Sequence, residues 1–206
     1  MDDTLVLGNG TRLVLRDIQP DDAPKLRRGF HALSPASRYQ RFMGQVADLT
    51  PAMLDYLTRV DGHDHVAVVA LRLDAEERER ELVGVARAIR VARDPRSAEV
   101  AVTVADELQR CGLGRCMLQA LVDRRAELGI DRLVAHTLST NTGIRRLLAA
   151  HGVLAERGEG LIELQLQRPA WGPLEGLARK VGLPALGASL GASLGASLGA
   201  RLRSAA

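Results

Sequence analysis

Apolar and polar positions follow two different rhythms along this chain. Residues 11–18, "TRLVLRDI", alternate closely enough to predict a short strand. Pro20-Asp21-Asp22 then reads as a helix start, with a helix over residues 23–32. Ser34-Pro35 and Thr50-Pro51 each place a capping hydroxyl before a proline whose missing N–H costs nothing in the first turn, which predicts two further short helices. Three β-branched runs follow, at residues 65–73, 81–91 and 98–105, bounded by turn-forming or charged segments. Between the first two lies "DAEERERE", whose density of charge marks an exposed hairpin tip.

Helical spacing returns after that. Leu113, Met117, Leu121 and Val122 recur on one face of a segment running to Leu128, and Gly129 stands where a left-handed residue ends a helix. A strand at "RLVAHTL", a helix over residues 142–150 and a last strand at "LIELQLQ" complete the order. Strand, helices, three strands, helix, strand, helix, strand is the pattern of a mixed sheet carrying helices on its faces, in the α/β to α+β range. The end of the chain departs from it. Leu186, Leu190, Leu194, Leu198 and Leu202 repeat every four residues, but the glycine in each repeat costs a helix about 1 kcal/mol. Residues 1–168 therefore read as the domain, and 169–206 as a low-complexity tail, disordered or weakly helical.

Composition narrows the class. A length of 206 residues suits one domain, and with 46% hydrophobic but only 2% aromatic residues the core must rest on Leu, Val, Ala and Ile. The net charge of +3 is a mild basic excess, suited to an anionic small ligand or an acidic partner. It lacks the clustering of a nucleic-acid binder. Cys111 and Cys116 form neither a disulfide framework nor a metal signature, and His63-Asp64-His65 has no Cys/His cluster to support it, so no metal is expected. The amino terminus does not resemble a signal peptide and no apolar run reaches membrane-spanning length, which predicts a soluble, cytoplasmic protein without membrane contact.

The candidate chemistry begins at "TVADELQRCGLGRCML", residues 103–118, where a strand passes through a glycine-bracketed basic loop into an apolar helix. A P-loop would need lysine and a hydroxyl after the last glycine, but Gly114 is followed by Arg115-Cys116. A dinucleotide fingerprint would need a third small residue where Met117 stands. What remains is a Gln109-x-x-Gly112-x-Gly114 loop opening a helix, with Arg110 and Arg115 beside its free amides, an arrangement suited to a pyrophosphate.

"VTVADELQRCGLGRCMLQALV" resembles the acetyl-CoA-binding motif of the GNAT N-acetyltransferases. "NTGIRRLLAAHGV" resembles that family's next helix, with Asn141 opening it and Gly152 closing it. "LSPASRYQRFM" and "VDGHDHVAVVA" resemble the amino-terminal segments of the bacterial protein-lysine acetyltransferase (Pat-like) branch. The resemblance covers residues 11–167 and implies a single domain with a mostly antiparallel sheet. It also implies acetyl-CoA as co-substrate. The pantetheine arm would bond to the main chain of Val102, Thr103 and Val104. Pyrophosphate would sit on the loop from Gln109 through Arg110, Cys111, Gly112, Leu113 and Gly114 to Arg115, with Asn141 capping the next helix and touching the cofactor.

Acetyl transfer to an amine needs a base for the amine, a donor for the oxyanion and a proton for the thiolate. Glu99 opens the strand that ends at the loop, and residues 99–105 span roughly 20 Å, about the length of an extended pantetheine arm. Period two puts Glu99 on one face with Ala101 and Thr103, and the valines on the other. A glutamate at this strand position resembles the general base of Pat-like enzymes, and the Val102 N–H is the expected oxyanion donor. Many GNAT enzymes carry a thiolate-protonating tyrosine seven residues after the helix-opening asparagine; here that position is Leu148. Tyr39 and Tyr56 lie in the early helices, where sequence alone brings neither to the sulfur, and His136 and His151 read as structural. Cys111 could become a thiolate at the helix start, but direct transfer is the expected route. The leading reading is an N-acetyltransferase whose acceptor is a protein lysine or a small amine. A non-catalytic acyl-CoA-binding module is the alternative, and a homodimer is left open.

Overall fold

The computed structural model describes residues 3–124, 128–149, 152–157 and 161–166, the last two segments for their backbone. β1 (Asp3–Val6) and β2 (Arg12–Asp17) form an antiparallel pair. A single 3-10 turn at 20–22 leads into α1 (Ala23–Ala32), α2 (Pro35–Phe42) and α3 (Pro51–Thr58). The Ser34 hydroxyl accepts from the Ser37 amide at 3.1 Å and that of Thr50 from the Met53 amide at 3.3 Å, so both caps that precede a proline form as the sequence predicts. β3 (His65–Leu73), β4 (Glu79–Val91) and β5 (Asp94–Val104) then run as an antiparallel meander. α4 (Leu113–Arg124), β6 (Arg132–Val134), α5 (Thr142–Ala149), β7 (Gly152–Arg157) and β8 (Leu161–Leu166) complete the order.

Six strands make one sheet in the order β1-β2-β3-β4-β5-β6, antiparallel except for β5 and β6. β7 and β8 pair separately, with β8 against β6. Alternation along the long strands feeds two cores, one on each face. Ala86, Ala88, Ala98 and Val100 face α4, where Leu113, Met117, Leu118 and Leu121 are buried. Val69, Leu71 and Val85 face the other way, onto Leu26 and Phe30 of α1 and Met53 and Leu57 of α3. This is the expected mixed, mostly antiparallel sheet with helices on both faces.

Some boundaries differ from expectation. β1 and β7 form where the sequence pattern suggested no strand, and β5 starts at Asp94, four residues early. β6 stops at Val134 although the apolar run continues to Leu138, because its pairing with β5 ends at Glu99 opposite Val134. Gly152 opens β7 instead of closing α5. The repeat tail lies outside the described residues.

Candidate active site

The end of the β5–β6 pairing creates the site. Past Glu99, β5 continues to Val104 beside β4 while the chain after β6 turns away. The Ala105 amide donates to Val83 O at 2.8 Å, which fixes the ladder alternation. The main-chain groups of Glu99, Ala101 and Thr103 point to β4, and those of Val100, Val102 and Val104 point to the side that β6 has vacated. The cleft there has a volume of about 680 Å³. Its walls are β5 from Glu99 to Val104, the glycine loop, the last residues of α2, the segment from Ala135 to Thr140 and the start of α5.

At one end of the cleft the loop turns through two left-handed residues, Arg110 at φ 64° and Gly112 at φ 87°. The turn presents the first amides of α4, and Gln109, Arg110, Gly112, Gly114 and Arg115 all line the cleft. A Cβ on Gly114 would stand 3.4 Å from the Leu147 side chain of α5, so the start of α4 passes close to α5. The loop is braced from behind. Asp106 accepts from the Ser34 amide at 2.8 Å, the Ser34 hydroxyl at 3.0 Å and the Ser37 hydroxyl at 2.6 Å, which holds its carboxyl below the usual range although burial opposes this. The Gln109 side chain donates to Val104 O at 3.2 Å. Asn141 accepts from the Ile144 amide at 3.2 Å as the cap of α5 and also lines the cleft.

At the other end stands Glu99, its side chain 19% exposed. His136 Nδ1 lies 3.3 Å from Glu99 Oε1. Histidine 136 was expected on a strand in a structural role. It stands in the cleft, two residues past the last β5–β6 pair, Glu99–Val134, where the chain leaves the sheet. Arg41, at the end of α2, lines the same cleft, and burial pushes its guanidinium down to about 10 against the pull of the Glu99 charge. Sequence reasoning passed over Arg41 because nothing in the α2 pattern marks the face that meets β5.

Among the sequence-predicted residues, Leu113 is fully buried in the α4 core, and the Cys111 side chain packs against that core. Neither lines the cleft with its side chain. Val102, Thr103 and Val104 do line it. Leu148 also borders the cleft but is 1% exposed within the core. Tyr39 is an exposed residue of α2, and the Tyr56 ring packs 5.1 Å from that of His65. Among the described residues there is no group of three or more His, Cys, Asp or Glu placed to hold a metal, and no helix long and apolar enough to cross a membrane.

Beneath the α1–α3 side of β4 and β5 lies a second, smaller cavity of about 60 Å³. Arg41 lines this cavity as well as the cleft. The rest of its wall is apolar except for Arg87 and Thr103.

The cleft can take a co-substrate with a pyrophosphate at one end and an extended arm along β5, leaving a carboxylate near the far end of that arm. Comparison with known proteins identifies the family. A family model described as an acetyltransferase (GNAT) domain matches residues 12–153. The chain is 32% identical over 152 residues to acetyltransferase PA5475 of Pseudomonas aeruginosa, covering 73% of this chain and 80% of that protein. It is 29% identical over 161 residues to acetyltransferase Pat of Mycolicibacterium smegmatis, covering 78% of this chain but only 47% of that longer protein. Among solved structures, the GNAT domain of S. lividans PAT superposes with a TM-score of 0.70 at 25% identity, over 80% of this chain and 96% of that domain. The match runs from β2 through the glycine loop to the start of β7, and it makes this chain a member of the GNAT family, an acyltransferase that uses acetyl-CoA.

Proposed function

We propose that the protein transfers the acetyl group of acetyl-CoA to a primary amine by direct attack, with Glu99 as general base. The observation that carries this reading is the placement of Glu99 where β5 and β6 part, at the end of the cleft remote from the glycine loop. Glu99 takes the amine proton as the N–C bond forms and the thioester C–S bond breaks. The Val102 N–H, turned into the gap by the ladder alternation, donates to the carbonyl oxygen as negative charge develops there. Water in the open cleft protonates the departing thiolate, since the position of the family tyrosine is the buried Leu148. Loop amides, Arg110 and Arg115 hold the pyrophosphate, and the Cys111 side chain, turned to the core, takes no covalent part.

A protein lysine is the acceptor that the Pat-like segments support. A small amine is the second reading, favoured by the small cavity of about 60 Å³ beside β5. Structural neighbours sharing the fold include a ribosomal-protein-S5-alanine acetyltransferase from Vibrio fischeri and a diaminobutyrate acetyltransferase from Paenibacillus lautus, each 18% identical, so one framework serves acceptors of both sizes.

The test is thiol release from acetyl-CoA in the presence of lysine peptides, intact proteins and small amines, with acetylated product followed by mass spectrometry. Acceptor-dependent release is the expected result, and the responding acceptor names its class. Acetyl-CoA binding without release on any acceptor would instead favour a non-catalytic acyl-CoA-binding module.

A further inference from the structure

Arg41 and Arg87 meet at the small cavity from different layers, one from the last turn of α2 and the other from the middle of β4. Arg87 is 3% exposed. It donates to the Leu57 carbonyl oxygen through both terminal nitrogens at 3.3 Å, and to His65 Nε2 at 2.7 Å. Neither acceptor is an anion: burial, and then the charge of Arg87 itself, push His65 down to about 3, so its ring is neutral. Arg41 makes no hydrogen bond and no contact ion pair among the described residues; its guanidinium lies 5.2 Å from the centroid of the Phe42 ring. The two guanidiniums repel one another, and burial together with Arg41 pushes Arg87 down to about 9.

Two partly or wholly buried cations that repel one another, with Glu99 acting on Arg41 only from beyond contact, are a costly arrangement. It becomes favourable when an anion enters. The walls around them are Leu26, Phe30, Leu33 and Leu57, so an incoming anion would be held with little competition from water. A guanidinium fork matches a planar carboxylate through two parallel hydrogen bonds. The cavity, at about 60 Å³, holds only a few heavy atoms.

Its position relates it to the chemistry. Arg87 is registered opposite Ala101, two residues or roughly 7 Å along β5 from Glu99. Arg87, Ala101 and Glu99 share the α1–α3 face of the sheet, and Arg41 borders both the cavity and the cleft.

We propose that Arg41 and Arg87 form a carboxylate subsite, which reads a free carboxylate carried a few carbon atoms from the reacting group of one of the two reactants. The proposal rests on the acetyl-transfer reading of the cleft and deepens it by naming a substrate class. A carboxylate on the acceptor makes that acceptor an amino acid or similar acidic amine. A carboxylate on the donor makes the acyl group a dicarboxylic half-thioester.

Matched pairs test this on the full chain. Acceptors are L-lysine against L-lysinamide and β-alanine against β-alaninamide, each with acetyl-CoA. Donors are succinyl-CoA against butyryl-CoA, each with one neutral amine. The expected result is a kcat/KM preference of about tenfold or more for the carboxylate member of the acceptor or the donor pairs. The ratio collapses toward one in Arg41→Gln, whatever that variant does to the absolute rate. Arg41 makes no hydrogen bond, so this variant should fold, and its melting curve checks that. Ratios near one in both sets, or a preference unchanged in Arg41→Gln, would overturn the subsite while leaving the acetyltransferase reading intact. If no pair turns over, succinate binding by calorimetry decides. Binding weakened about tenfold in Arg41→Gln supports the subsite, and absent or unaffected binding overturns it. Acetyl-CoA titrated in the same samples reports separately on the cofactor cleft.

Discussion

Arg16 of β2 shows how much one side chain can hold together. Its guanidinium donates to both oxygens of Asp22, at 2.7 and 2.8 Å, and to both oxygens of Glu79, at 2.6 and 2.7 Å. Asp22 is only 2% exposed and begins α1, so this pairing ties the first helix to the sheet. Hydrogen bonds from Arg16 and then Lys25 hold Glu79 down to about 2, although burial opposes them. Removing Arg16 leaves a buried carboxylate with Lys25 3.8 Å away as its remaining cation, so Arg16→Met should lose about 3 kcal/mol of stability in urea unfolding. An unchanged midpoint would show that the cluster contributes nothing. Buried charge of this kind is hard to read in a sequence. Arg16 and Arg87 both sit in alternating runs at positions that look solvent-facing, and the most distant of their partners, Glu79 and Leu57, are 63 and 30 residues away.

Among the elements, α1 carries a glycine that its helical propensity does not want. A Cβ on Gly29 would stand 2.8 Å from the backbone oxygen of Leu82, so the glycine lets α1 approach β4 closely. Alanine there gains up to about 1 kcal/mol of helix propensity but overpacks against rigid main chain at a cost of about 1–3 kcal/mol. Gly29→Ala should therefore lower the melting temperature, and a rise would show that the two elements can move apart freely. The helices themselves were legible because their signals are local. The caps at Ser34 and Thr50 and the left-handed Gly129 need only neighbouring residues. β1 was not legible, because "DTLV" is short and its strand character comes from pairing with β2. The glycine loop was legible as a strand-to-helix junction, and its residues line the cleft. Its neighbours across the cleft, Arg41 and His136, depend on the packing of α2 and on the β5–β6 register, which no local pattern encodes.

Across the whole molecule, one sheet separates two cores with different tasks. The α4 core packs beneath the glycine loop, and the α1–α3 core packs against the opposite face of β4. Asp106, Ser34 and Ser37 link the two directly. Stability of the whole should depend on acid through His65, which is buried between α3 and the sheet. Its folded value near 3 lies below the ordinary 6.5, so the unfolded chain binds a proton in that range that the folded chain refuses. Stability is then complete above about pH 6.5 and falls as pH drops toward 3, at up to about 1.4 kcal/mol per unit. Glu79 adds a further loss from its ordinary 4.5 down to about 2. His65→Gln, which keeps an acceptor for Arg87, should flatten the slope of urea stability between about pH 5 and 6.5. A slope identical to the parent's would place the acid sensitivity elsewhere.

The central claim is that Glu99 performs proton transfer at the acyl end of a cleft whose other end holds the pyrophosphate. Its most direct test is turnover of the wild type and Glu99→Gln with a responsive amine, with the acetyl-CoA dissociation constant measured on the same samples. The account predicts a loss of about 10²-fold or more in kcat with the dissociation constant unchanged, since the carboxylate lies away from the loop that binds the cofactor. Full turnover in Glu99→Gln would contradict it.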